Sequence, residues 1–160
     1  MTQSRGSNDA EELAQLLERV GYVVVPDRLN TESCQALKRV LSLWHAECSP
    51  NYAQTEAKST DLANKADEEV VYNLHNKGSH FWPLFEDSLV LQLIASRLST
   101  GSWDDSEPFY LNNISARNPL PGNRGQTLHT DSSIPGLNQT LFVNALWCLD
   151  DFNLANGTTR

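Results

Sequence analysis

The sequence predicts an α+β fold in which the helices come first along the chain and the strands follow. Before Gly101, apolar residues recur at three- and four-residue steps, a spacing typical of helices with one buried face. After Gly101 the apolar residues form continuous runs instead, which is typical of buried strands. This change of pattern predicts helices packed against a sheet or barrel.

The N-terminal segment is expected to hold a helix and a strand. Residues 1–8 are polar and are expected to be disordered. From Asp9 onward, leucine and valine recur at helical spacing up to Gly21, which is expected to cap the helix. Residues 22–25 form a β-branched run that predicts a strand, and Pro26 closes it.

Two further helices are predicted before Gly101. Asn30 or Thr31 is expected to cap the second helix, whose apolar stripe is Cys34, Leu37, Val40, Leu41 and Trp44. Asp87 or Ser88 is expected to cap the third, which ends near Gly101. Between these helices, residues 49–69 are polar and are predicted to form a loop with one loose helical turn. Residues 70–74 then indicate either a short strand or the start of a segment that lines a site, and residues 75–83 indicate a second loop.

The C-terminal part is predicted to be extended. Residues 109–116 indicate a strand, and residues 118–125, with two Pro and two Gly, indicate a loop. Residues 141–149 are apolar at nearly every position, as expected for a strand that is buried on both faces.

The composition narrows the class of protein. The 160 residues suit one domain, residues 1–160, with a single core. With 12 basic and 20 acidic residues the net charge is −8, which argues against nucleic acid as a partner. No apolar run reaches membrane-spanning length, and the N-terminus lacks a signal-peptide core. The odd number of cysteines, Cys34, Cys48 and Cys148, predicts reduced thiols in the cytoplasm.

The sequence Thr127-Leu128-His129-Thr130-Asp131 suggests a metal site. On an extended chain, side chains two residues apart leave the same face, so His129 and Asp131 can reach one ion. They would form two of the three ligands of the 2-His-1-carboxylate triad that binds non-haem Fe(II). A His-x-Asp triplet is weak evidence alone, since a lone His beside polar residues is usually a surface or capping residue.

The segments around this triplet resemble the phytanoyl-CoA dioxygenase family of Fe(II)/2-oxoglutarate-dependent oxygenases. In that family, His-x-Asp is followed by a strand ending in Leu-Asp-Asp and by an Asn-Gly-x-Thr-Arg turn. Here Leu149-Asp150-Asp151 and Asn156-Gly157-Thr158-Thr159-Arg160 stand in that order. The Gly-Tyr-Val-Val-Val-Pro segment at residues 21–26 is also similar to the family's opening. The resemblance is specific from Asn113 onward.

The resemblance implies roles for individual residues. His129 and Asp131 would bind Fe(II), and Gln126 would reach a carboxylate of the cosubstrate 2-oxoglutarate. Trp147 would line the cosubstrate pocket. A polar residue at a strand edge explains Gln126 about as well, and ordinary core packing explains Trp147 at least as well.

Two further pairs of residues are weaker candidates for the functional site. Asn73 and His75 are candidates for the substrate side, although a solvated loop explains them equally well. Thr158 and Thr159 are better explained as turn residues.

The resemblance also implies what this sequence lacks. In the family a second His ligand follows the Asn-Gly-x-Thr-Arg turn, and an Arg that pairs with 2-oxoglutarate follows later. We therefore expect the chain to be the N-terminal part of a longer protein. It would hold an incomplete double-stranded β-helix, the cupin-like jelly roll, with N-terminal helices.

The expected function is an Fe(II)- and 2-oxoglutarate-dependent dioxygenase that hydroxylates a small organic substrate, inactive as this fragment. The alternative is a catalytically silent jelly-roll binding module in which His129 and Asp131 only form hydrogen bonds. A zinc hydrolase is disfavoured, because no His-Glu-x-x-His motif or Cys/His cluster accompanies the pair. The identity of the substrate and the oligomeric state have no signature in the sequence.

Overall fold

The computed structural model describes residues 5–56, 68–98, 109–122 and 140–156. Its elements, in chain order, are α1 (Arg5–Val20), α2 (Thr31–Glu56), β1 (Glu68–Tyr72), α3 (Trp82–Phe85), α4 (Ser88–Leu98) and β2 (Ser115–Pro119). They form two compact units: α1, α3 and α4 belong to one, and α2, β1 and β2 to the other. Helices together with an antiparallel strand pair agree with the predicted α+β class.

In the first unit, α1 packs against α4. Helix α1 begins at Arg5, earlier than the predicted Asp9, so it includes part of the segment expected to be disordered. Gly21 ends it as predicted: its φ is +87°, and its N–H donates to the carbonyl of Leu17 at 2.9 Å. A positive φ favours glycine, because other residues meet a steric penalty there.

Helix α4 begins where the sequence predicts, because Asp87 caps it. One oxygen of the Asp87 carboxylate accepts the N–H groups of Leu89 and Val90, both at 3.0 Å. Its other oxygen accepts two hydrogen bonds from Arg28. Burial acts to raise the pKa of the Asp87 carboxyl, but the N–H of Val90, the Arg28 guanidinium and the N–H of Leu89 outweigh it and hold the pKa below its usual range.

In the second unit, α2 packs against β1. Asn30 caps α2, since its side-chain oxygen accepts the N–H of Ser33 at 2.8 Å. The buried residues of α2, Leu37, Leu41 and His45, recur every four positions and so lie on one face. Val70 is 3% exposed and Val71 is fully buried, so both faces of β1 are covered.

Helix α2 continues to Glu56, which corrects the loop predicted for residues 49–56. The prediction relied on the loss of an apolar stripe there, and a stripe reports burial rather than helix formation. Ala53, Gln54 and Glu56 have a high intrinsic helix propensity, which does not require an apolar stripe. Residues 57–67 of the predicted loop lie outside the described residues.

The sheet has two strands in the part of the chain that the structure describes. β1 pairs antiparallel with β2, with Glu69 opposite Asn118 and Val71 opposite Ala116. The strand predicted at residues 70–74 is confirmed for residues 70–72; it begins earlier, at Glu68, and ends at Tyr72. The strand predicted at residues 109–116 is wrong for residues 109–114, which form no strand.

Two other predicted strands are also wrong: residues 22–25 and 141–149 are neither helix nor strand. Val24 is 75% exposed and Leu146 is 77% exposed, so these apolar segments are not buried on both faces. A strand exists only when a neighbour completes its hydrogen bonds, and an apolar run cannot specify that neighbour.

The loop predicted at residues 75–83 is instead largely helical. It holds two 3-10 turns, Leu74–Asn76 and Ser79–Phe81, and the start of α3. Phe81 is fully buried. No helix within the described ranges combines the length and the apolarity that a membrane crossing requires.

The capping of α4 by Asp87 makes a prediction about stability. Replacing Asp87 with Ala should lower the free energy of unfolding by about 1–2 kcal/mol at pH 7, because α4 loses its cap and Arg28 its partner. Urea unfolding measures this, with Glu86→Ala at the neighbouring exposed carboxylate as the control.

The effect of Asp87 should also depend on pH. A carboxyl with a lowered folded-state pKa stabilises the fold fully above its unfolded-state pKa, and this contribution disappears as the pH falls through the folded-state value. The difference between wild type and Asp87→Ala should therefore shrink in acid. A difference that stays constant down to strongly acidic pH would contradict the charge-based explanation.

Candidate functional site

The predicted ligands His129 and Asp131, and Gln126 before them, lie outside the described residues. The structure describes the chain on both sides of them, at residues 109–122 and 140–156. The residues between these two segments, 123–139, are called the candidate segment because they contain the predicted ligands.

On the N-terminal side, the described residues that precede the candidate segment include strand β2. The side-chain amide of Asn118 donates to the Glu69 carboxylate at 2.7 Å, and Arg117 donates to Glu68 at 3.0 Å. Both hydrogen bonds join β2 to β1, in addition to the main-chain pairing of the strands. The chain then turns at Gly122, whose φ is +94°. Strand β2, which precedes the candidate segment, is thus joined to β1 by side-chain as well as main-chain hydrogen bonds.

On the C-terminal side, residues 147–156 are joined to α2 by a side-chain ion pair. The Lys38 ammonium donates to the Asp150 carboxylate at 2.7 Å. This hydrogen bond is the main reason that the pKa of Lys38 is raised, an effect that partial desolvation opposes. The Leu-Asp-Asp segment that follows the candidate ligands is thereby placed against the helix.

A compact turn follows Asp150. Asn156 donates its side-chain amide to the carbonyl of Asp151 at 2.6 Å and accepts the N–H of Asn153 at 2.7 Å. The Asn153 side chain in turn accepts the N–H of Ala155 at 2.8 Å. Asn side chains often form such local bonds with the backbone in turns. The Asn that opens the Asn-Gly-x-Thr-Arg sequence therefore has a structural role.

Trp147 is half-buried, whereas Leu146 and Cys148 on either side of it are exposed. Trp147 is therefore partly covered by the protein and partly accessible to solvent. That arrangement is compatible with a pocket wall and with partial core packing, the two alternatives set by the sequence.

The substrate-side candidates Asn73 and His75 lie where β1 ends. Asn73 is exposed and left-handed, with φ 58° and ψ 48°, an uncommon conformation for a residue other than glycine. It turns the chain into the 3-10 turn that contains half-buried His75, while the N–H of Leu74 donates to the carbonyl of Ile114 at 3.1 Å.

His45 is a polar residue of the core that the sequence analysis did not place there. It is 9% exposed, and its Nδ1 lies 3.9 Å from a Glu69 oxygen, beyond hydrogen-bonding distance. The four-residue spacing from Leu37 and Leu41 is the signal that could have predicted its burial.

The described residues contain no group of three or more His, Cys, Asp and Glu side chains that could hold a metal ion. The donor chemistry of the predicted pair nevertheless fits iron: an imidazole nitrogen and a carboxylate oxygen are the ligand types of the non-haem Fe(II) triad.

The comparison with known families identifies the family of the chain. The family model for phytanoyl-CoA dioxygenase matches residues 17–160. The chain belongs to the phytanoyl-CoA dioxygenase family. Members of this family are in general Fe(II)- and 2-oxoglutarate-dependent dioxygenases, and both candidate ligands, His129 and Asp131, fall inside the matched range. No curated protein and no solved structure gave a significant match.

The Asn156 turn provides a test of the C-terminal side of the site. Replacing Asn156 with Ala removes the donated and the accepted hydrogen bond, and should lower the free energy of unfolding by about 1 kcal/mol, because the turn is exposed. Asn156→Asp is the matched variant, since it keeps the acceptor for Asn153 and loses only the donor. The midpoint temperature of thermal unfolding should be highest for the wild type, lower for Asn156→Asp and lowest for Asn156→Ala. Equal midpoints for all three proteins would contradict the role of Asn156.

Proposed function

We propose that this chain supplies the first two metal ligands, His129 and Asp131, of an Fe(II)- and 2-oxoglutarate-dependent dioxygenase. The observation that carries the proposal is the family match over residues 17–160, which includes both residues in their motif order. The complete triad needs a second His, which the resemblance places after the Asn-Gly-x-Thr-Arg turn. The full domain would be a cupin-like jelly roll to which the described helices and strand pair contribute.

Each residue has a chemical task in this proposal. His129 binds as a neutral imidazole and Asp131 as a carboxylate, which leaves positions for cosubstrate and oxygen on the metal. Gln126 donates a hydrogen bond to a 2-oxoglutarate carboxylate and so orients it. Trp147 forms an apolar wall that excludes water from the cosubstrate.

The reaction proposed is hydroxylation of a C–H bond in a small organic substrate. When bound, the iron centre supplies the oxidising chemistry: 2-oxoglutarate and O2 become succinate and CO2, with one oxygen atom entering the substrate and one entering succinate. The residues of this chain bind, orient and shield the reactants while the metal and cosubstrate carry that chemistry.

The first test of the proposal is metal-dependent binding of 2-oxoglutarate. The full-length protein, titrated with Fe(II) and 2-oxoglutarate without oxygen, should develop the visible charge-transfer absorption of the chelate. His129→Ala should abolish this absorption, because two remaining ligands no longer complete the triad. His80→Ala is the control, since His80 is exposed in the 3-10 turn Ser79–Phe81.

Two results of this titration would oppose the proposal. A folded wild-type protein without the absorption would favour the silent binding module over the enzyme. An absorption that survives in His129→Ala would assign the metal to other ligands.

A second test concerns Gln126. Gln126→Leu removes the donated hydrogen bond while keeping a similar size, and should weaken 2-oxoglutarate binding about tenfold or more, since a bond to a charged group contributes roughly 1.5–3 kcal/mol. Binding of Fe(II) alone should not change. Gln92→Leu, at an exposed position of α4, is the control, and equal effects of the two variants would remove Gln126 from the site.

A further inference from the structure

The segment that carries Trp147 has little regular structure to position it. Within the ranges that the structure describes, residues 140–149 form neither helix nor strand. Trp147 and Leu149 are half-buried, while Leu146 and Cys148 are exposed. Side-chain contacts therefore contribute to the position of this stretch, since its described residues have no strand pairing.

The Lys38–Asp150 ion pair is one such contact. It joins α2 to a residue 112 positions later in the chain, at 2.7 Å. Both partners are partly exposed, Lys38 at 43% and Asp150 at 65% of the side chain. Exposed ion pairs add little to global stability. We therefore expect the ion pair to affect mainly the position of residues 147–156 and to have little effect on global stability.

The position of Asp150 explains how the pair could reach Trp147. Asp150 lies between Trp147 and the turn that Asn153 and Asn156 close with their side chains. Three residues of extended chain span about 10 Å. The contact of Asp150 with α2 therefore keeps Trp147 within about 10 Å of that anchor along the chain.

The charge environment supports a persistent contact. The hydrogen bond from Asp150 is the largest influence on Lys38 and raises its pKa; partial desolvation opposes it, and the negative charges of Asp150 and Asp151 reinforce it. Both groups are charged at neutral pH, and the 2.7 Å hydrogen bond joins them directly.

We infer that Lys38 is a positioning residue for the cosubstrate site: its ion pair with Asp150 docks the Trp147 segment onto α2. This inference rests on the proposed function, because it takes Trp147 as a wall of the 2-oxoglutarate pocket. Lys38 itself acts only through Asp150 and the chain around it.

The test uses four variants of the full-length protein. Lys38→Met removes the charge and keeps the aliphatic stem, and Lys38→Arg keeps the charge. Arg39→Met removes a charge from the adjacent exposed position of α2 and is the matched control. The double variant Lys38→Asp with Asp150→Lys reverses the pair.

Two measurements are made on each variant. Hydrogen–deuterium exchange of amides 147–156, without metal or cosubstrate, reports the docking of the segment. The anaerobic chelate absorption, at saturating Fe(II), reports the affinity for 2-oxoglutarate, and Fe(II) binding is measured separately.

In Lys38→Met we expect faster exchange at residues 147–156 and about two- to fivefold weaker binding of 2-oxoglutarate, with Fe(II) binding unchanged. Lys38→Arg and Arg39→Met should behave as the wild type. The reversed pair should restore both exchange and affinity, a rescue that general destabilisation cannot produce.

The outcomes separate this inference from the proposed function. A wild-type protein that forms the chelate, together with a Lys38→Met variant of unchanged 2-oxoglutarate affinity, overturns the inference alone. Unchanged exchange in Lys38→Met also overturns it. A wild-type protein that forms no chelate overturns the proposed function and, with it, the role of Lys38 at a cosubstrate site.

Discussion

The packing of α2 on β1 is the contact on which the rest of the second unit depends. Leu37 and Leu41 of α2 are buried, as are Val70 and Val71 of β1. Complete burial of a valine or leucine side chain contributes about 1.5–3 kcal/mol, so a few such residues exceed what the exposed ion pairs can contribute. β2 in turn depends on β1, since every main-chain pairing of β2 in the described residues is to β1.

The described residues on the two sides of the candidate segment are stabilised by different interactions. On the N-terminal side, strand pairing and the Asn118–Glu69 hydrogen bond act together. On the C-terminal side, the Lys38–Asp150 pair and the half-buried Trp147 and Leu149 replace strand pairing. Because isolated side-chain contacts are weaker than a strand ladder supported by a packed core, the C-terminal side is the more sensitive to single substitutions.

Membership of the phytanoyl-CoA dioxygenase family supports the roles proposed for residues that carry little information one by one. A His and an Asp two positions apart are common by chance, and a half-buried Trp is an ordinary feature of cores. Their order, with Leu149-Asp150-Asp151 and Asn156 following, is what identifies the family, and the match over residues 17–160 supports that order as a whole.

Local signals in the sequence determined the ends of the helices. Asn30, Asp87 and Gly21 act within a few residues of their own positions, through hydrogen bonds to nearby N–H groups or through a positive φ. Such interactions need no distant partner, so the sequence alone specifies them. The family could likewise be predicted from the sequence alone, because the order of its short motifs is a property of the sequence.

Tertiary structure decided which extended segments became strands and which side chains were buried. Residues 22–25 and 141–149 have strand-like composition but form no strand, whereas residues 115–119, with Arg117, Asn118 and Pro119, do. A strand needs a neighbour at hydrogen-bonding distance, and among the described residues β1 pairs with β2 alone. The burial of His45 and the pairing of Lys38 with Asp150 likewise arise only when distant parts of the chain meet.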